Sequence, residues 1–222
     1  FGSSLLIASV LLHNPHLHRV ELSTFTMSMF GDKWVMDAES EWALHENCRS
    51  LSGDSFTIKN GDTGDVVIKA DAANFTWGDS ITCMDAETEE EIFTIREEKM
   101  HRTKHYLIKK GDEVFATVRK NMMSMHNTIV AYKGEAEFNM MNSTDAEVLY
   151  TIKGGLISER NTSVYKGDGD DTEIAKSHEK RSNLGGVLGQ DEYEVCIQPG
   201  EDIALILACL IVNDEIQEDA ED

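Results

Sequence analysis

From about residue 54 the apolar and polar positions of the chain alternate with a period of two. Phe56 and Ile58 share a face, as do Val66 and Ile68, Phe75 and Trp77, and Phe93 and Ile95. Val114, Ala116 and Val118 follow, and Tyr193, Val195 and Ile197 close the series. Alternation of this kind predicts half-buried β-strands, because successive side chains of a strand point to opposite faces. Turn residues punctuate the runs. Asn60-Gly61 predicts a hairpin turn, since both residue types tolerate positive φ. A phrase then recurs: an Ile or Tyr, one or two Lys or Asn, and a Gly. It stands at Ile58–Gly61, Ile108–Gly111, Tyr132–Gly134, Ile152–Gly154 and Tyr165–Gly167. The uneven spacing excludes a solenoid and suits successive hairpins of a meander, hence a sandwich or barrel.

One segment breaks the rhythm. Ile203–Val212 (IALILACLIV) is ten apolar residues in a row. Pro199 and Gly200 end the strand before it, and Glu201 or Asp202 can cap a helix and complement its positive end. Its Leu and Ala content favours helix, while its Ile and Val leave a buried strand as the competing reading. A helix apolar all round must be buried on every side. In a β protein the inside of a barrel of about twelve strands provides that place, whereas eight strands would be filled by side chains alone.

Two stretches carry a family resemblance. Phe56–Glu98, with Asn60-Gly61-Asp62 and Met84-Asp85-Ala86-Glu87 at its turns, resembles the opening of the LURP-one-related domain. Tyr193–Ile216 resembles that domain's closing phrase: a strand, Pro-Gly, an acidic residue and a long apolar helix. The likeness spans about residues 54–216, on the scale of a single domain. It implies the tubby-C-terminal-like fold, a closed antiparallel β-barrel of about twelve strands around a buried C-terminal helix. Phospholipid scramblases resemble the same broad group. Residues 1–50 are then expected to pack on the barrel as an extension, 51–213 to form the barrel with its helix near 201–213, and 214–222 to be an acidic tail.

Composition narrows the chemistry. The formal net charge is −21, from 41 acids against 20 bases. So acidic a body repels nucleic acid and disfavours anionic membranes, because phosphate recognition needs clustered Lys and Arg. Six of the nine residues from Asp214 to Asp222 are acidic, which predicts a solvated end. None of Cys48, Cys83, Cys196 and Cys209 forms a CxxC pair, so a reduced intracellular protein, cytoplasmic by default, is expected. The sequons at Asn74, Asn142 and Asn161 do not by themselves establish secretion. Leu5–Leu12 is apolar but too short to span a bilayer. It reads as a segment packing on the body, with a processed targeting remnant as the alternative.

Candidate sites are few. Lys99, Arg102 and Lys104, with His101 and His105, form the one local basic cluster and the candidate anion site. Alternation splits it, with Arg102 and Lys104 on one face, and a solvated edge is the simpler reading. The resemblance implies a comparison with the phosphoinositide pocket of tubby proteins, but no motif here matches that pocket residue by residue. Asp168, Asp170 and Asp171 on the Gly-flexed stretch after Lys166 are candidate metal ligands, without the remaining EF-hand positions. His13, His16 and His18 lie close together, and alternation could face His16 and His18 the same way. No Cys or third ligand is placed to complete a metal site, so structural or incidental histidines are the simpler reading. No nucleophile elbow, P-loop, dinucleotide fingerprint or HExxH occurs, so no enzyme activity and no cofactor are expected. The expected function is a binding or scaffold protein meeting a protein partner with a basic surface. The alternative is a membrane-associated phosphoinositide or phospholipid binder, scramblase-like and calcium-assisted.

Overall fold

The computed structural model describes residues 28–47, 55–72, 80–98, 105–121, 124, 128–138, 144–154, 161–168, 172–179 and 192–218. Twelve strands run in chain order: β1 (Ser40–Asn47), β2 (Ser55–Asn60), β3 (Val66–Ala72), β4 (Ser80–Asp85), β5 (Glu91–Glu98) and β6 (His105–Lys110). They continue as β7 (Glu113–Lys120), β8 (Thr128–Lys133), β9 (Val148–Gly154), β10 (Asn161–Lys166), β11 (Glu173–Glu179) and β12 (Glu192–Ile197). Each strand pairs with its sequence neighbour, and β1 pairs antiparallel with β12, so the meander closes into a barrel with no free edge. The helix α1 (Ile203–Glu218) fills it. From Ile203 to Val212 no residue is more than 5% exposed. Phe56, Ile58, Ile68, Phe93, Ile95, Ile108, Ile152, Val195 and Ile197 of the wall pack around that helix in one core. The barrel with its core helix, expected from alternation and the apolar run, is the observed architecture. Among the described residues no helix is long and apolar enough to cross a membrane.

The boundaries differ from expectation at both ends. The barrel starts at Ser40, because β1 supplies the strand that bridges β2 and β12. The sequence SEWALHEN is poor in β-branched residues, and its Trp42 and Leu44 are too short a run to announce a strand alone. At the other end the helix continues through Glu218, and Ile216 is 8% exposed, so the first part of the acidic tail is helical and anchored. Phe75 and Trp77, the sequons at Asn74 and Asn142, Cys48 and the early histidines lie outside the described residues. Cys83, Cys196 and Cys209 are thiols, none of them in a disulfide.

A single device repeats around one end of the barrel. The pairing register shifts at Ile58/Lys59, Cys83/Met84, Ile108/Lys109, Ala131/Tyr132 and Val164/Tyr165, always near the end of an even-numbered strand. The extra residue falls on the following strand: Val67, Ile92, Phe115, Leu149 or Ile174. Bulges bend and twist a strand, which suits a closing barrel. Their carbonyls are then used. Those of Val67, Phe115, Leu149 and Ile174 accept from the N–H groups of Ala86, Gly134, Gly167 and Gln198, each just past the end of the next even-numbered strand. The recurring Lys-Gly phrase is therefore a bulge followed by a turn, with Gly111, Gly134 and Gly167 at positive φ. Gly154 is an exception, since it lies within β9.

The bulges also correct the alternation. Val66 sits opposite Lys59 and is 37% exposed, whereas Ile68, two residues on, is fully buried. The Asn60-Gly61 turn differs too. Asn60 Oδ1 accepts from the N–H groups of Asp62 (2.9 Å) and Thr63 (3.0 Å), and the left-handed position falls to Gly64 (φ 74). Gly61 is needed for a different reason: a Cβ there would lie 2.7 Å from the Glu41 carbonyl oxygen, which accepts its N–H.

Candidate functional site: the acidic end of the barrel

In an antiparallel meander every turn that follows an even-numbered strand lies at the same end, together with the start of β1 and the entry of α1. That topology gathers acids scattered through the sequence. Exposed there are Asp62 and Asp65 between β2 and β3, then Glu87, Glu89 and Glu90 between β4 and β5. Asp112 and Glu113 follow at the β6–β7 turn. Glu135, Glu137, Asp145 and Glu147 flank the β8–β9 connection, and Asp168 and Glu173 the β10–β11 turn. Several lysines of this end are already neutralised: Lys33 by Asp85, Lys133 by Glu147 (3.0 Å) and Lys166 by Glu201 (2.7 Å). The field is felt at Cys196, whose thiol pKa is pushed up by burial and then by the charges of Glu41, Glu39 and Glu194.

A strap formed by residues 28–37 closes the middle of this end. Phe30 packs its ring against Phe93 and Phe115, with centroids 5.3 and 4.9 Å away, and Trp34 lies against Trp42. One carboxylate ties strap to helix. Asp202 Oδ2 accepts from the Met29 N–H (2.7 Å) and the Ser28 hydroxyl (3.2 Å), while Oδ1 caps α1 by accepting from the Leu205 N–H (3.1 Å). Asp202 is 2% exposed, and burial raises its pKa against the opposing pull of these hydrogen bonds. Beside it Tyr150 is held well above the usual phenol range, by burial first and then by the charges of Asp202 and Glu201. Glu201 is bound on one side only: Oε1 accepts from Lys166 Nζ, and Oε2 is buried without a partner.

The segment after β8 builds a recess on the outer wall near this end. The Thr117 hydroxyl donates to the Gly134 carbonyl (2.7 Å) and accepts from the Ala136 N–H (2.9 Å), pinning the chain to β7. Phe138 then lies over the Arg119 guanidinium at 4.2 Å. Burial lowers the Arg119 pKa and raises that of Tyr132. The recess, about 480 Å³, is lined by Glu135, Glu137, Phe138 and Asp145 among others.

The sequence candidates fare unevenly. Lys99, Arg102 and Lys104 lie between β5 and β6, outside the described residues. Asp168 is an exposed turn residue, while Asp170 and Asp171 fall outside the described residues, so the trio is not brought together in what is described. Among the described residues no three His, Cys, Asp or Glu side chains are placed to hold a metal ion. The run Glu87–Glu91 turns on Asp85, whose Oδ1 accepts from the N–H groups of Glu87 and Thr88. What sequence reasoning missed is the convergence: each turn carried its acids visibly, but only strand order shows that they share one end.

Fold and site together define a helix-filled β-barrel protein whose strapped end gathers exposed carboxylates from successive turns. The chain belongs to the LURP-one-related family, whose model matches residues 41–214. It is similar to Protein LURP-one-related 10 of Arabidopsis thaliana, 24% identical over 184 residues that cover 82% of this chain and 93% of the relative. Protein LURP-one-related 15 of the same plant is 21% identical over 182 residues, covering 79% of each. No solved structure gives a significant match.

Proposed function

We propose that this LURP-one-related barrel is a non-enzymatic binding protein that receives a basic protein surface at its acidic end. The observation that supports the reading most directly is the placement of exposed carboxylates on every hairpin turn of that end. Three of these turns are tied to a bulge carbonyl, through Ala86, Gly134 and Gly167, and a cationic patch is steered to the gathered carboxylates by their summed field. Such attraction weakens with salt, because exposed charges are screened beyond ~8 Å at physiological ionic strength.

The test is fluorescence anisotropy with a Lys- and Arg-rich peptide across a salt series. Binding is expected to weaken as salt rises. Reversing Glu87, Glu90 and Glu91 to Lys, away from the left-handed Glu89, is expected to weaken it on the order of tenfold. Indifference to salt and to charge reversal would overturn the reading. Co-sedimentation with anionic vesicles in the absence of calcium would favour the lipid-binding alternative.

A further inference from the structure

The Glu201 carboxylate is the buried acid of the acidic end whose hydrogen bonding is half complete. Its side chain is 10% exposed, with Oε1 taken by Lys166 Nζ at 2.7 Å and Oε2 enclosed and unpartnered. A buried carboxylate oxygen without a donor is costly, and folds satisfy such groups as a rule. The present occupant is a poor match for the site. Lys166 brings a point charge that covers one oxygen, and its side chain is 49% exposed, so it stands at the mouth. The backbone beside the pair faces open space: a Cβ at Gly167, next to Lys166, or at Gly200, next to Glu201, would meet nothing within 4 Å. The arrangement is not that of a metal site, since among the described residues no group of three ligating side chains gathers here.

We infer that Glu201 is an arginine-binding site in which Lys166 is a displaceable place-holder, the guanidinium of an incoming basic segment covering both carboxylate oxygens. Arginine suits the site because its planar fork donates two parallel hydrogen bonds to one carboxylate, which an ammonium cannot do. The exposed turn acids around it, Asp168 and Glu173 nearest in sequence to Lys166, raise the local concentration of cations. As to its partner, the inference rests on the acidic-end reading, and it adds one anchoring residue to it.

The experiment uses the full chain and two small probes, arginine amide and lysine amide, titrated into wild type, Lys166→Met and Glu201→Gln by calorimetry. Lys166→Met keeps the apolar stem and removes the competing charge. It is expected to bind arginine amide about fivefold or more tightly than wild type, and to prefer it over lysine amide. Glu201→Gln is expected to lose that binding; should it fail to fold, the comparison of Lys166→Met with wild type decides alone. Equal or absent binding of arginine amide in wild type and Lys166→Met, or a preference for lysine amide, would overturn the inference. A salt-sensitive peptide response that Lys166→Met and Glu201→Gln leave untouched would refute the arginine site and spare the acidic-end reading. Arginine amide binding to Lys166→Met without any peptide response would do the reverse.

Discussion

Asp202→Ala tests how the strap, the helix and the barrel are joined. Three donors lose their acceptor: the Leu205 N–H of the helix cap, the Met29 N–H and the Ser28 hydroxyl. Loss of an N-cap costs about 1 kcal/mol. An orphaned buried N–H costs about 1–3 kcal/mol. Relief of a buried carboxylate, whose pKa is raised by burial, returns part of this. A net loss of about 1–3 kcal/mol remains, a sizeable share of the ~5–15 typical of a folded domain. At this chain length each kcal/mol moves the melting temperature by about 2–4 °C, so a fall of roughly 2–12 °C is expected. Circular dichroism melts measure it, and hydrogen exchange should show faster exchange at Met29 and Phe30. The pH dependence carries the sign of a raised carboxylate. In the window above the unfolded pKa and below the raised folded one, the native state holds a proton that the unfolded state has lost. The Asp202 contribution therefore becomes less favourable as pH rises through that window, and Asp202→Asn should flatten that limb of the stability–pH profile. A melting shift below about 2 °C for the alanine variant would refute the idea that this carboxylate joins the three elements.

Leu207→Asp puts an unpaired charge on a fully buried face of α1 and should abolish soluble, cooperatively melting protein, the cost being several kcal/mol or about half the total stability or more. Glu89 holds φ 58 at the turn position that Gly64 fills in the preceding hairpin; Glu89→Gly should raise stability by about 1 kcal/mol, read as a rise in melting temperature. Truncation after Asn213 removes the buried Ile216 as well as exposed acids, so it should cost about 1.5–3 kcal/mol in denaturant unfolding, whereas removal of the residues after Glu218 is expected to cost little.

The core of this fold was open to sequence reading because two periodicities state it. Period two marked the walls, and the apolar run Ile203–Val212 could only be a buried element. The bulges were less legible. Ile92-Phe93 and Val148-Leu149 place two apolar residues side by side at a strand start, which a period-two reading takes as noise. In the structure both extra residues pack against the core, and Leu149 lends its carbonyl to the neighbouring turn. β1 was hidden because SEWALHEN earns its place by pairing on both sides, and its own propensity is weak. The strap was missed for a related reason: Phe30 is a single aromatic residue whose partners Phe93 and Phe115 lie far along the chain, and Trp34 meets Trp42 on the equally hidden β1. As for the site, Glu201 and Asp202 stood out only as capping residues. That one holds the strap, and that the other is half satisfied, depends on residues separated from them by 173 and 35 positions.

Closure between β1 and β12 has a consequence for biosynthesis. The ladder that seals the wall joins Ser40 to Ile197, and the helix that fills the interior follows the last strand. A chain emerging from the ribosome therefore exposes its wall strands before either the closing partner or the filling helix exists. Such long-range pairing makes folding slow, and the waiting sheet has an open edge and an uncovered apolar face, the state most prone to association with other chains. The charge that crowds the turns of the finished barrel is already present on those nascent hairpins. Mutual repulsion between them helps keep partly made chains apart until the helix arrives.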